Sequence, residues 1–189
     1  MAFVDESQSQ AERDPHTYVL AAAVCDVSSV AAARAAIIGL QLRGQRKVHW
    51  RNEDDKRRRL IIETVASVPL RHVVVVRDGR PGERPERRRR HCLERLLYEL
   101  DQLAVLTVTF ESRGRKDDQR DRVMLDTLRA RRVVAGALRI EHVQGPREAM
   151  LWVPDAVCGA IVRERLGEPV YVQTLQASVQ LRLIVIEAN

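Results

Sequence analysis

Apolar residues come in short blocks separated by polar ones, and the spacing within each block predicts its element. Residues 2–5 form an apolar run that ends on a carboxylate, Asp5, and read as a short buried strand. Residues 6–15 are polar and read as a turn or loop. Residues 17–25 are apolar throughout, which fits a buried strand antiparallel to the first. Cap residues 26–29 precede an Ala-rich helix over 30–42, and Lys47-Val48-His49-Trp50 reads as a short extended piece. An acidic first turn opens a helix over 53–67, with Leu60, Ile61, Thr64, Val65 and Val68 as its apolar stripe.

Four consecutive valines within 71–77 predict a fully buried strand. A Gly/Pro loop follows, and Pro85 suits the first turn of a helix striped by Leu93, Leu96, Leu97, Leu100 and Leu103. Residues 104–110 read as a strand reaching Glu111. Residues 116–132 read as a helix, 137–143 as a strand and 154–166 as a helix closed by Gly167. Residues 170–175 and 179–186 are the last strand candidates. Strands first, then alternating strand and helix, predict an α/β fold: a mixed central sheet with helices on both faces. At 189 residues the chain reads as a single domain, with 168–189 an extension whose place the pattern does not fix.

Composition narrows the class. With 45% hydrophobic and 31% charged residues the chain has enough apolar surface to fold. No apolar run approaches a membrane span of roughly 20 residues, and the N-terminus lacks the basic and apolar regions of a signal peptide, so the cytoplasm is the expected location. Cys25, Cys92 and Cys158 are widely spaced among apolar neighbours, which suggests reduced core thiols and offers no metal-ligand spacing. Arg and Lys total 32 against 26 acids, a net charge of +6. Lys47, Lys56 and Lys116 are the only lysines, and guanidinium groups suit bidentate contact with phosphates. A polyanion partner, nucleic acid above all, fits this charge; an Arg-favouring codon usage fits it equally.

The candidate chemistry lies in three acids. Asp5 and Glu111 each end an apolar run, and Asp155 follows Pro154 at a helix start. A carboxylate next to a core is costly unless it is paired or binds a metal. Three of them from distant segments supply hard oxygen ligands for Mg²⁺ or Mn²⁺, which can support hydrolysis of a phosphodiester. Each acid alone also reads as a solvated strand-end or cap residue.

Phe3-Val4-Asp5-Glu6-Ser7, the strand-ending acid Glu111 with Ser112-Arg113, and Leu151-Trp152-Val153-Pro154-Asp155-Ala156 occur in an order that resembles the bacterial family called domain of unknown function 3800. The likeness spans residues 2 to about 167. It implies a ribonuclease-H-like three-layer fold and a divalent-metal-dependent nuclease, with Asp5, Glu111 and Asp155 as metal ligands. Asp118 or Asp121, in the acidic start of the following helix, would be a fourth. Gln8 stands where the family has glycine, Pro154 where it has alanine, and the tail from residue 170 has no counterpart. The family often carries a Lys- or His-containing motif near Lys47 and His49; a histidine there could shuttle a proton or hold a phosphate, or it could be a surface residue beside Trp50.

Two basic runs, Arg87-Arg88-Arg89-Arg90 and Lys56-Arg57-Arg58-Arg59, lie on predicted helices. The first, with Arg113, is the expected nucleic-acid contact; a solvated helix face is the plainer reading. No Gly-rich phosphate loop and no nucleophile elbow is present, which sets aside nucleotide-triphosphate motors and serine hydrolases. The alternative to a nuclease is a catalytically inactive module of the same fold that binds nucleic acid or protein.

Overall fold

Six strands form one mixed sheet in the order β5-β4-β1-β2-β3-β6. The structure, a computed structural model, describes residues 1–9 and 12–188. The strands are β1 (Ala2–Gln8), β2 (Thr17–Val24), β3 (Arg71–Asp78), β4 (Thr107–Glu111), β5 (Arg139–Val143) and β6 (Gln180–Glu187). β1, β2 and β3 form an antiparallel meander. β4 joins β1 in parallel, β5 joins β4 in parallel, and β6 joins β3 in parallel at the other edge.

The helices are α1 (Val30–Ile38), α2 (Asp55–Ser67), α3 (Pro85–Gln102), α4 (Arg115–Ala130), α5 (Trp152–Arg165) and α6 (Val170–Ser178). Alternation along the strands divides the core in two. Phe3, Val19, Ala21, Ala23, Val74 and Val76 pack with α1, α2, α5 and α6. Val4, Leu20, Ala22, Val73, Val75 and Phe110 pack with α3 and α4. The first of these surfaces is called the α5 face below and the second the α3 face. The mixed sheet with helices on both faces is the architecture that the apolar pattern predicts.

Small residues bring α5 close to the sheet. Ala21 and Ala23 meet a helix that presents Ala156, Cys158, Gly159 and Ala160, all fully or nearly fully buried. Capping fixes the other ends: the Asp54 side chain accepts from the backbone N–H of Arg57 to open α2, and Pro85 sits in the first turn of α3.

Three expectations change. Residues 170–175 are helical, not a strand: Tyr171, Val172 and Leu175 turn one buried side inward at helical spacing, although their β-branched and aromatic composition imitates a strand. Residues 168–188 thus acquire a place, as α6 and the edge strand β6. Second, α1 stops at Ile38, with Gly39 as its cap, rather than running to residue 42. Third, β1 does not end at Asp5; it continues to Gln8, opposite Tyr18, so the predicted loop over 6–15 begins later, and its residues 10 and 11 lie outside the described residues.

Candidate active site

The β1–β4 ladder runs Ala2↔Val108, Phe3↔Thr109, Val4↔Phe110, and one step further stand Asp5 and Glu111. Their parity with Phe3 and Thr109 sends both carboxylates to the α5 face. There α5 crosses β1 and β2, and Cys158, buried one turn after Asp155, donates its thiol to the Asp5 carbonyl at 3.4 Å. Strand pairing therefore sets Asp5 beside Glu111, and helix packing brings Asp155 over them. The three acids that the sequence singles out come from β1, β4 and α5 and share one side of the sheet.

The segment before α2 supplies the positive groups. Lys47 and His49 flank buried Val48, so both reach the acids. The Lys47 ammonium donates to both Glu111 oxygens at 2.8 and 2.9 Å. The His49 Nδ1 lies 2.9 Å from Asp155 Oδ2, and the Trp50 backbone N–H donates to that same oxygen at 2.8 Å. Asp5 lacks such a partner: its Oδ1 accepts the N–H of Glu6 at 2.8 Å. Burial, and then the nearby charges of Asp155 and Glu111, push its carboxyl well above the ordinary range, against a smaller pull from the Glu6 N–H and Lys47.

Glycines shape the walls. A side chain at Gly145 would collide with the Glu111 carboxylate, and one at Gly159 would collide with the Trp50 indole. Trp152 donates its indole N–H to the Gly145 carbonyl at 3.0 Å, fixing that approach. Trp50 also meets Tyr171 edge-on at 5.0 Å and carries the Arg58 guanidinium 5.4 Å from its ring centre. A cleft of about 600 Å³ opens beside Asp155, lined among others by Ser7, Tyr18, His49, Arg51, Arg58 and Arg163.

The remaining predicted acids lie elsewhere. Asp118 accepts from Ser112 Oγ at 2.7 Å and the Arg113 N–H at 3.0 Å, tying down the start of α4. Asp121 lies on the α3 face, held by Arg89 at 2.5 and 3.0 Å and by His142 Nε2 at 3.1 Å. Sheet parity puts both on the wrong side to join Asp5, and their lone pairs are already used.

The predicted basic surface is likewise divided. Arg87 and Arg90 point to solvent, but Arg88 and Arg89 are buried. Arg88 donates to the carbonyls of Pro15 and Glu83, and Arg89 to Glu6 and Asp121. Arg113 is spent among Glu6, Glu86 and Asp121. The run Arg87–Arg90 therefore does not form a continuous phosphate-facing row, and α3 lies across the sheet from the three acids. A recess of about 420 Å³ between α3 and α4 is walled on its polar side by Arg89 and Asp121, which are paired with each other.

The sequence reading missed Glu6, His142, Gly145, Gly159, Arg51 and Arg163 as residues of consequence. Period-two alternation could have found the first: one step past Asp5, Glu6 must face the other side.

No protein-family model matches the chain, and no curated protein matches it. Solved structures do. Bst-RNase HIII in complex with Mn²⁺ superposes at a TM-score of 0.58 with 14% identity, over 88% of this chain and 53% of that one. RNase HII of Archaeoglobus fulgidus, in its PCNA complex, superposes at 0.55 with 16% identity, over 92% of this chain and 76% of that one. The chain thus spans about half the length of the RNase HIII. At this level of identity the likeness establishes the fold, which is ribonuclease-H-like α/β.

Do the residues on the α5 face suit a divalent cation? The donors of Asp5, Glu111 and Asp155 are hard oxygens, and the raised Asp5 carboxyl marks negative charge in excess of what surrounds it. Lys47 and His49 already stand where positive charge is wanted. The donor set suits Mg²⁺ or Mn²⁺. In this arrangement the acids are spread: among the described residues no three His, Cys, Asp or Glu side chains form a ready metal-holding group.

Proposed function

We propose that the chain is a divalent-metal-dependent nuclease of ribonuclease-H-like type that hydrolyses phosphodiester bonds in nucleic acid. The observation that carries this reading is the meeting of Asp5, Glu111 and Asp155 on one side of the sheet with charge left uncompensated at Asp5. The motif order shared with domain of unknown function 3800 and the solved ribonuclease structures of the same fold support it. Asp5, Glu111 and Asp155 would hold Mg²⁺ or Mn²⁺. When bound, the cation supplies positive charge to activate water and to stabilise the leaving oxygen.

The chain's own residues do the rest. Asp5, on the central strand, is the most rigidly held of the three ligands. The Trp50 N–H orients Asp155, and His49 at 2.9 Å from the same carboxylate is placed to take or give a proton. Lys47 neutralises Glu111 while the cation is away. We assign phosphate contact to Arg51, Arg58 and Arg163 along the cleft instead of to the α3 run.

A second reading, a catalytically inactive module of the same fold, is favoured by one observation: Lys47 and His49 already neutralise two of the three acids. Melting with and without Mn²⁺, alongside hydrolysis assays on RNA, DNA and hybrid duplex, separates the two. A nuclease is stabilised by Mn²⁺, by about 2.7 kcal/mol at a hundredfold excess over Kd. It cleaves at least one of the three substrates, and Asp5→Asn loses both effects. A fold indifferent to Mn²⁺ that binds oligonucleotide without cleaving it is the inactive module.

A further inference from the structure

The two edges of the sheet are protected to different degrees. β5 is five residues long and exposes Arg139 and Glu141, charges that discourage pairing with another strand. β6 is eight residues long and contains Leu181, Leu183, Ile184, Val185 and Ile186 without proline or lysine. Its inner edge is fully registered on β3, from Arg71↔Gln180 to Asp78↔Glu187, so its outer edge is extended and regular. Leu183 and Val185 are 42% and 50% exposed. Both belong to the α5 face, opposite Val74 and Val76, while Ile184 and Ile186 lean on the α3 face. An edge with these properties is a template for an added strand.

We propose that β6 pairs antiparallel with β6 of a second copy of this chain, joining two six-stranded sheets into one across a two-fold axis. Charge selects the direction. Arg182 stands near one end of the strand and Glu187 at the other, so an antiparallel copy brings the Arg182 end beside the partner's Glu187 end. A parallel copy would set like charges together. Symmetry and exposure select the register. A two-fold axis perpendicular to a continuous sheet passes through a residue opposite its own copy. With Ile184 at that position, Leu183 faces the second copy's Val185 and Val185 faces its Leu183. Both exposed apolar side chains are then covered, and the Arg182 stem lies along the opposing Ile186. The inference does not depend on any catalytic role.

Sedimentation of the full chain over a range of concentrations tests it, with Leu183→Lys and Val185→Lys as variants whose folding is checked by circular dichroism and melting. The wild type is expected at twice the monomer mass, dissociating on dilution, and each folded lysine variant at the monomer mass. Cross-linking fixes the register independently. Ile184→Cys should form an intermolecular disulfide in oxidised glutathione, whereas Leu181→Cys, far from its own copy in this register, should not. The native cysteines are buried and do not compete. A wild type that stays monomeric overturns the proposal. So does a dimer that survives both lysine variants, or one that cross-links through residue 181 and not 184.

Discussion

The two faces of β1 hold acid clusters with opposite electrostatics. On the α5 face, Asp5, Glu111 and Asp155 meet with Lys47 and His49 between them, and Asp5 is held well above its ordinary range by burial and its two acidic neighbours. On the α3 face, one residue further along, Glu6 and Asp121 grip Arg89, with Arg113 and His142 alongside. Burial would raise Asp121 too, but hydrogen bonds from His142 and Arg89 and the charge of Arg113 overturn it and hold Asp121 below the ordinary range. Burial would likewise weaken the Arg89 charge, and Glu6 and Asp121 reverse that as well. The same residue types thus form a charge-deficient site on one side and a satisfied structural network on the other. Counting acids does not tell the two apart; counting the donors around them does.

The largest effect is expected on the satisfied side. Asp121→Asn removes the charge that Arg89 donates to while leaving the guanidinium buried. Breaking one partner of a buried pair costs about 3–5 kcal/mol. Denaturant unfolding at neutral pH measures it. A loss below about 1 kcal/mol would mean that Glu6 and solvent satisfy Arg89 unaided.

The buried histidines repeat the contrast. His142 bonds Asp121 on the α3 face. His72, in β3, lies in a 1% exposed position with neither ring nitrogen partnered, and burial lowers it from 6.5 to about 4. The unfolded chain therefore binds a proton at pH values where the folded chain does not. Stability should fall as pH drops from 6.5 towards 4 and then level off, by up to about 3 kcal/mol at 1.36 kcal/mol per unit. His72→Leu removes that slope and leaves one buried polar ring fewer to accommodate. Melting curves of both forms from pH 7 to 4 decide; equal slopes would show that other groups carry the acid sensitivity.

Gly159→Ala disturbs the charge-deficient side through packing alone. The added methyl collides with Trp50, whose N–H orients Asp155. Overpacking of this kind costs about 1–3 kcal/mol. If the reading of the site holds, the response to Mn²⁺ weakens along with stability. A variant that melts lower but keeps the full Mn²⁺ response would show that Trp50 supports the core and not the site.

How far was this contrast legible in the sequence? The three acids on the α5 face were, because each adjoins an apolar run or a helix start, and the strands carrying Asp5 and Glu111 do pair. Lys47 and His49 were legible from their alternation about Val48. Asp118 and Asp121 were misread because their distance along the chain from Glu111 says nothing about which side of the sheet α4 covers. Arg88 and Arg89 were misread because a run of four arginines on a helix must turn some of them inward, and only the tertiary structure shows that carboxylates and carbonyls wait there. Residues 170–175 failed for a local reason: Val-Tyr-Val favours a strand, and burial against α2 and α5 at helical spacing overrides it.

Asp5→Asn should have the smallest effect on the fold and is the most discriminating. Because the folded-state value of Asp5 lies above the unfolded one, the folded chain binds the extra proton in the window between them. In that window stability falls as pH rises, the reverse of the usual carboxylate. Asparagine keeps the shape and can still accept the Glu6 N–H, but it has no charge to bury. At neutral pH without metal, Asp5→Asn should therefore melt at the wild-type temperature or above it, and below the ordinary carboxylate range the two should converge. With Mn²⁺ the order reverses, since the wild type gains the ligand's binding energy and the variant does not. Asp121→Asn serves as the control across the sheet, destabilised at neutral pH with or without the ion. If Asp5→Asn instead melts far below the wild type without metal, Asp5 is a hydrogen-bonded structural residue like Asp121, and the contrast between the two faces disappears.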